Sequence, residues 1–113
     1  MMRKIAMVAL ALGVLTFVAS GTSWAAGKSH AAEAAEHTEE AIAHGKQGHA
    51  DVLVKHAEEA LKHAEAAQKE KANPHLEEGI KGLKDAIDHG KQRHADVATK
   101  AAEGALMHIK EVK

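Results

Sequence analysis

The sequence has 113 residues, 45% of them apolar, with no cysteine, one proline and 10 histidines, a length that allows one small domain. Its formal charge is −1 with histidines neutral, whereas a nucleic-acid-binding domain is normally basic. The absence of thiols excludes disulfides, cysteine-held zinc or iron–sulfur sites, covalently attached c-type haem and cysteine nucleophiles, so oxygen and imidazole are left for chemistry.

The chain opens with an export pattern. Met1 to Lys4 forms a short positive region, Ile5 to Val18 is almost entirely apolar, and Ser23-Trp24-Ala25 is a small-x-small triplet of the kind signal peptidases cut after. Residues 1–25 are therefore expected to be a signal peptide and 26–113 the mature domain. The apolar run is shorter than the roughly 20 residues of a spanning helix and is interrupted at Gly21 to Ser23, so no stable membrane association is expected after cleavage. There is no lipobox cysteine to carry a lipid. In a bacterium the address is the periplasm, where the lack of a free thiol is fitting. Cleavage takes Arg3 and Lys4 from the 15 basic residues and none of the 16 acidic ones, leaving a formal charge of −3. It also removes Phe17 and Trp24, the only aromatics, and with them any platform for stacking bases; no nucleic-acid partner is expected.

The remainder is an internal duplication. Ala41-Ile42, His44-Gly45-Lys46-Gln47 and His49-Ala50-Asp51-Val52 recur as Ala86-Ile87, His89-Gly90-Lys91-Gln92 and His94-Ala95-Asp96-Val97, and further matches run to His63 and His108. Ala, Glu, Lys and Leu dominate each half, and the strong breakers are Gly45, Gly48, Asn73-Pro74 and Gly90. Gly45 and Gly90 suit the left-handed position that ends a helix, and Asn73 followed by Pro74 reads as N-cap and first helical residue. Four helices are predicted, near 30–44, 49–70, 74–89 and 94–111. Short connections make neighbours antiparallel, so the expected fold is all-α, an up-down-up-down four-helix bundle of two duplicated hairpins.

With His30, His49, His75 and His94 as position zero of their helices, the large apolar residues fall at plus one and plus five: Ile42, Val54, Leu61, Leu76, Ile80, Leu83, Ile87, Leu106 and Ile109. Position plus four is mostly small, as at Ala34, Ala41, Ala60, Gly79, Ala86 and Ala105, which lets helices approach closely on that side, and at 100° per residue the seam centres near 100°. Histidine then lies on the shoulder of the apolar seam, beside the alanine stripe.

All ten histidines occupy that one phase. His30, His37 and His44 are seven apart, as are His49, His56 and His63, while His75 to His89 and His94 to His108 skip a heptad at Gly82 and Ala101. Seven residues advance about 10.5 Å along a helix, so antiparallel packing sorts the rings into levels. One end should hold His44, His49, His89 and His94, the middle His37 and His56, and the far end His30, His63, His75 and His108.

Carboxylates stand at helical-neighbour spacing from these rings: Glu33, Glu40, Glu59, Glu78 and Asp85. Imidazole and carboxylate suit Cu(II), Ni(II) and Zn(II), and affinity at open sites of this kind peaks at copper. A surface histidine is ordinarily solvated, but unselected ones would scatter round the polar face rather than share a phase. The pattern thus points to a multi-site binder of divalent metal ions, with the ten histidines as ligands and those five carboxylates in support. Asp51 and Asp96 are read as helix caps rather than ligands, and Met107, the one methionine of the mature chain, as core filler.

The repeated H-A-x-E-A heptads, as in His56-Ala57-Glu58-Glu59-Ala60, and the hairpin His44-Gly45-Lys46-Gln47-Gly48-His49 resemble the small metal-binding protein family, secreted bacterial four-helix bundles. The resemblance spans essentially the whole mature chain. It implies a periplasmic binder of several divalent ions, copper foremost, in copper management or detoxification, with the heptad histidines as ligands. Gly82 and Ala101 depart from the pattern by lacking histidine, and Arg93 stands where the first half has Gly48.

The alanine-rich seam makes apolar burial modest for so small a domain, so bound metal is expected to stabilise the fold by mass action. Protons compete for imidazole, so uptake should fall between neutral pH and pH 5. The rival reading is a pH-responsive helical interaction or structural protein whose metal binding is incidental. Haem would need inward ligands and bulky apolar walls, and catalysis a nucleophile with an organised partner; neither is found. The expected protein is a non-enzymatic monomer whose partners are metal ions.

Overall fold

The computed structural model describes residues 28–113; the expected signal peptide, 1–25, lies outside the described residues. Among the described residues there are four helices: α1, His30–Lys46; α2, Ala50–Glu70; α3, Pro74–Lys91; and α4, Ala95–Lys110. Each packs against its sequence neighbours and α1 also packs against α4, closing the expected four-helix bundle. No helix among the described residues is long and apolar enough to cross a membrane.

The helix ends show why the chain breaks where it does. The Ser29 side chain accepts the Ala32 N–H at 3.1 Å to begin α1, and Asn73 accepts that of His75 at 2.7 Å with Pro74 in the first turn of α3. Asp51 and Asp96 lie in the first turns of α2 and α4, where their carboxylates accept the N–H of Val52 and Val97 at 3.0 and 2.9 Å. Those acids favour the positive end of each helix dipole, but the N-cap positions themselves belong to His49 and His94.

Gly45 and Gly90 are not the left-handed terminators expected. α1 and α3 continue through them, and among the described residues the left-handed ones are Gly48, φ 82°, and Arg93, φ 67°. The two helical glycines are needed for close approach instead. A Cβ at Gly45 would lie 2.0 Å from Thr99 Oγ1, and one at Gly90 would lie 2.5 Å from Val54 Cγ2.

The buried seam also differs from the one the large residues suggested. It runs through positions plus one and plus four: Ala34, Thr38, Ala41 and Gly45 in α1; Leu53, Ala57, Ala60, Ala64 and Ala67 in α2; Leu76, Gly79, Leu83, Ala86 and Gly90 in α3; Ala98, Ala102, Ala105 and Ile109 in α4. Small residues at most of these positions let the backbones close, and alanine fills much of the interior beside Leu53, Leu76, Leu83 and Ile109. The aliphatic residues at plus five, Val54, Leu61, Ile80, Ile87 and Leu106, are half-buried along one flank, and Ile42 alone of that set is buried. Buried Thr38 and Thr99 donate their hydroxyls to the carbonyls of Ala34 and Ala95, both at 2.6 Å, so neither is left without a partner. Met107 is not core filler: it is 71% exposed, on the outer face of α4.

At 100° per residue a seam of plus-one and plus-four positions centres at about 70°, with histidine on one flank and the plus-five aliphatics equally far round on the other. Antiparallel neighbours present like flanks to each other. Histidine flanks therefore meet inside each hairpin, between α1 and α2 and between α3 and α4. The plus-five flanks turn toward the space between the hairpins, where Val54 approaches Gly90 and Thr99 approaches Gly45. Outer ion pairs finish those seams, Lys91 with Glu58 at 3.7 Å, Lys46 with Glu103 at 3.7 Å and Lys110 with Glu39 at 3.1 Å, each exposed and so of small worth.

Candidate metal centre

Every close pair of histidine rings among the described residues lies within one hairpin. In the first, the rings form an unbroken file. His30 and His63 have centroids 5.3 Å apart, His63 and His37 5.5 Å, His37 and His56 6.1 Å, His56 and His44 5.4 Å, and His44 and His49 6.0 Å. The second hairpin holds two separate pairs, His75 with His108 at 5.8 Å and His89 with His94 at 6.2 Å. Where the file would continue, the chain has Gly82 and Ala101. The four-histidine levels expected at the two ends are thus divided by hairpin, because the aliphatic flanks stand between the two grooves.

The turns create the end pairs. The His49 N–H donates to the His44 carbonyl at 3.0 Å and the His94 N–H to the His89 carbonyl at 2.9 Å, so each reversal sets two imidazoles side by side. At the other end of the first hairpin the Nδ1 atoms of His30 and His63 are 3.1 Å apart. Among the described residues, three ring nitrogens, Nδ1 of His37, of His44 and of His89, are buried without a hydrogen-bond partner. Buried polar atoms are nearly always paired, and an imidazole nitrogen left over in a row of imidazoles has the electron pair or proton that a metal ion would take up or displace.

Carboxylates join the first file from both helices. Glu40 Oε1 lies 3.0 Å from His56 Nδ1 and 3.6 Å from His37 Nδ1, while Glu33 Oε1 lies 3.7 Å from His63 Nε2. Two groups of three potential ligands result, Glu33–His37–His63 and His37–Glu40–His56, each with its ligand atoms within 4.8 Å of one another. The side chains of His37, His56 and His63 are 24 to 29% exposed, sheltered but open to an ion. Glu70, which the sequence reading did not single out, places Oε2 3.7 Å from His30 Nε2. It stands far from His30 along the chain, and only the pairing of α1 with α2 brings the two together.

The remaining predicted carboxylates are placed differently. Glu59 lies 3.6 Å from Lys62 and Glu78 3.9 Å from Lys81, both in solvent-facing pairs along one helix, and Asp85 is exposed on α3. Two clefts at the turn end, lined by residues such as Lys55, Glu58, Lys91 and Arg93, contain no histidine, whereas one at the far end is lined by His30 and Glu70. Metal coordination needs converging donor atoms rather than a cavity, and the two groups of imidazole and carboxylate converge along the hairpin.

A search of the curated proteins finds no match to the chain. The family model described as small metal-binding protein matches residues 2–112. With imidazoles and carboxylates converging along the inside of a helical hairpin and a match of that extent, this chain belongs to the small metal-binding protein family.

Proposed function

We propose that the protein sequesters divalent transition-metal ions, Cu(II) first and Ni(II) and Zn(II) after it, in the periplasm once its signal peptide, residues 1–25, is removed. The observation that carries this reading is the unbroken file of six imidazoles between α1 and α2, with Glu33 and Glu40 closing on it. Nitrogen and carboxylate oxygen are the donors that borderline divalent ions prefer, and the order of affinity for such donors rises to copper. His30, His37, His44, His49, His56 and His63 are the ligands of the first hairpin, and His75, His89, His94 and His108 those of the second. The reading is of binding and storage in metal homeostasis or detoxification, by a monomer without catalytic activity.

Calorimetric titration of the mature protein at pH 7 with Cu(II), Ni(II) and Zn(II), together with elemental analysis of protein taken from its own compartment, tests this. More than one ion per chain, bound most tightly as copper and released by acid, is expected. Loss of all metal on dialysis would overturn the reading. The pairing of imidazoles at distances such as 3.1 Å between His30 and His63 also favours a second reading, since protonating both rings would set like charges together. Association that changes with pH and is indifferent to chelators would support that alternative.

A further inference from the structure

Of the ten imidazoles, His37 alone belongs to both converging ligand groups, with Glu33 and His63 on one side and Glu40 and His56 on the other. Its Nδ1 is buried without a hydrogen-bond partner and faces Glu40 at 3.6 Å, and its ring lies between those of His63 and His56 at 5.5 and 6.1 Å. A neutral imidazole has one N–H and one free electron pair. It therefore serves one cation at a time, even though three-ligand positions exist on both sides of it.

We propose that the first hairpin holds one principal metal ion in a two-position site, with His37 as the shared ligand and with the Glu33–His63 and Glu40–His56 pairs as alternating partners. This rests on the metal-binding reading above and specifies its tightest centre. An ion moves between the positions by exchanging one carboxylate and one imidazole while His37 stays bound, so no step leaves it with water alone. The flanking rings, His30 next to His63 and His44 next to His56, extend the same path toward both ends of the hairpin. In the second hairpin the equivalents of His37 and His56 are Gly82 and Ala101, so no such centre forms there.

The arrangement predicts a non-additive pattern that independent sites would not give. Cu(II) titration of the mature protein at pH 7 should resolve one tight ion above a weaker class. Glu33→Gln and Glu40→Gln should each weaken that tight ion only about twofold, the statistical loss of one of two equal positions. The double variant should weaken it at least about tenfold, far beyond the product of the single effects. His37→Gln should remove the tight ion in one step while leaving the weaker class, and circular dichroism at 222 nm should report an intact bundle.

Loss of the tight ion from Glu33→Gln alone, two tight ions in the parent, or an unchanged tight ion in His37→Gln would each overturn the two-position site and leave metal binding standing. Failure of the parent to take up Cu(II) at all would overturn both.

Discussion

The two hairpins have a common pattern and have diverged in opposite directions. Where α1 has Ala31 and Thr38, the repeat-equivalent positions of α3 are Leu76 and Leu83, and where α2 has Ala64, α4 has Ile109; all three large residues are buried. Conversely, His37 and His56 of the first hairpin correspond to Gly82 and Ala101 of the second. A Cβ at Gly82 would lie 2.9 Å from Ala105 Cβ and 3.1 Å from its Cα, so α3 and α4 meet where the first hairpin has room for imidazole. The first hairpin carries a continuous file of histidines, with Leu53 and Ile42 as its large buried residues; the second buries Leu76, Leu83 and Ile109 and has two isolated histidine pairs. Ligand capacity and tight apolar packing compete for the same interhelical space, and the duplication lets one molecule have both.

The sharpest way to break this contrast is to convert the first hairpin into the second. His37→Gly with His56→Ala should abolish the tight class of Cu(II), since losing an inner ligand costs at least the roughly 10- to 100-fold that loss of an outer partner costs. Gln substitution of both His75 and His108 should leave that class within about twofold, as no third ligand converges there; calorimetry compares the two directly. The division of the core is tested next. Leu83→Ala should destabilise by about 3 kcal/mol and lower the thermal midpoint by about 15 °C, whereas Thr38→Ala should cost about 1 kcal/mol. Both are read from helical ellipticity on heating.

Metal should reach stability through the first hairpin. At a free Cu(II) concentration a hundred times the dissociation constant, the parent should gain about 2.7 kcal/mol, and the His37→Gly, His56→Ala protein should gain much less at the same concentration. An unchanged midpoint in the parent would separate binding from folding. Restoring the missing ring by Gly82→His should destabilise by about 1 to 3 kcal/mol, because the new Cβ meets the backbone of Ala105. It should build no tight site unless Ala101→His accompanies it. The smallest effect belongs to the turns: Arg93→Gly relieves a left-handed backbone that Gly48 adopts freely, and should stabilise by about 0.5 to 1 kcal/mol in the same thermal measurement.

Much of this molecule is legible along the chain. The phase of the histidines, the gap at Gly82 and Ala101, the Asn73-Pro74 start and the doubling of the hairpin are local or periodic facts, and helical geometry converts them directly into rows and turns. Glu33 and Glu40 were within reach for the same reason, since each stands three or four residues from a histidine on its own helix. Their contacts to His63 and His56, and that of Glu70 to His30, cross between helices and have no signature in local spacing.

The tertiary structure decided what periodicity left open, which of two overlapping seams is buried. Large residues at plus one and plus five suggested one answer, but alanine and glycine at plus four let the backbones approach until the small residues became the interior. That rotation, by about one-third of the angle between successive residues, sets imidazole against imidazole within a hairpin and turns the plus-five flanks toward the other hairpin. Residue order along each helix established that the histidines form rows. Only the closest approach that four backbones can make established which rows face each other, because packing is a property of the volumes on both sides of an interface and a single helix carries one of them.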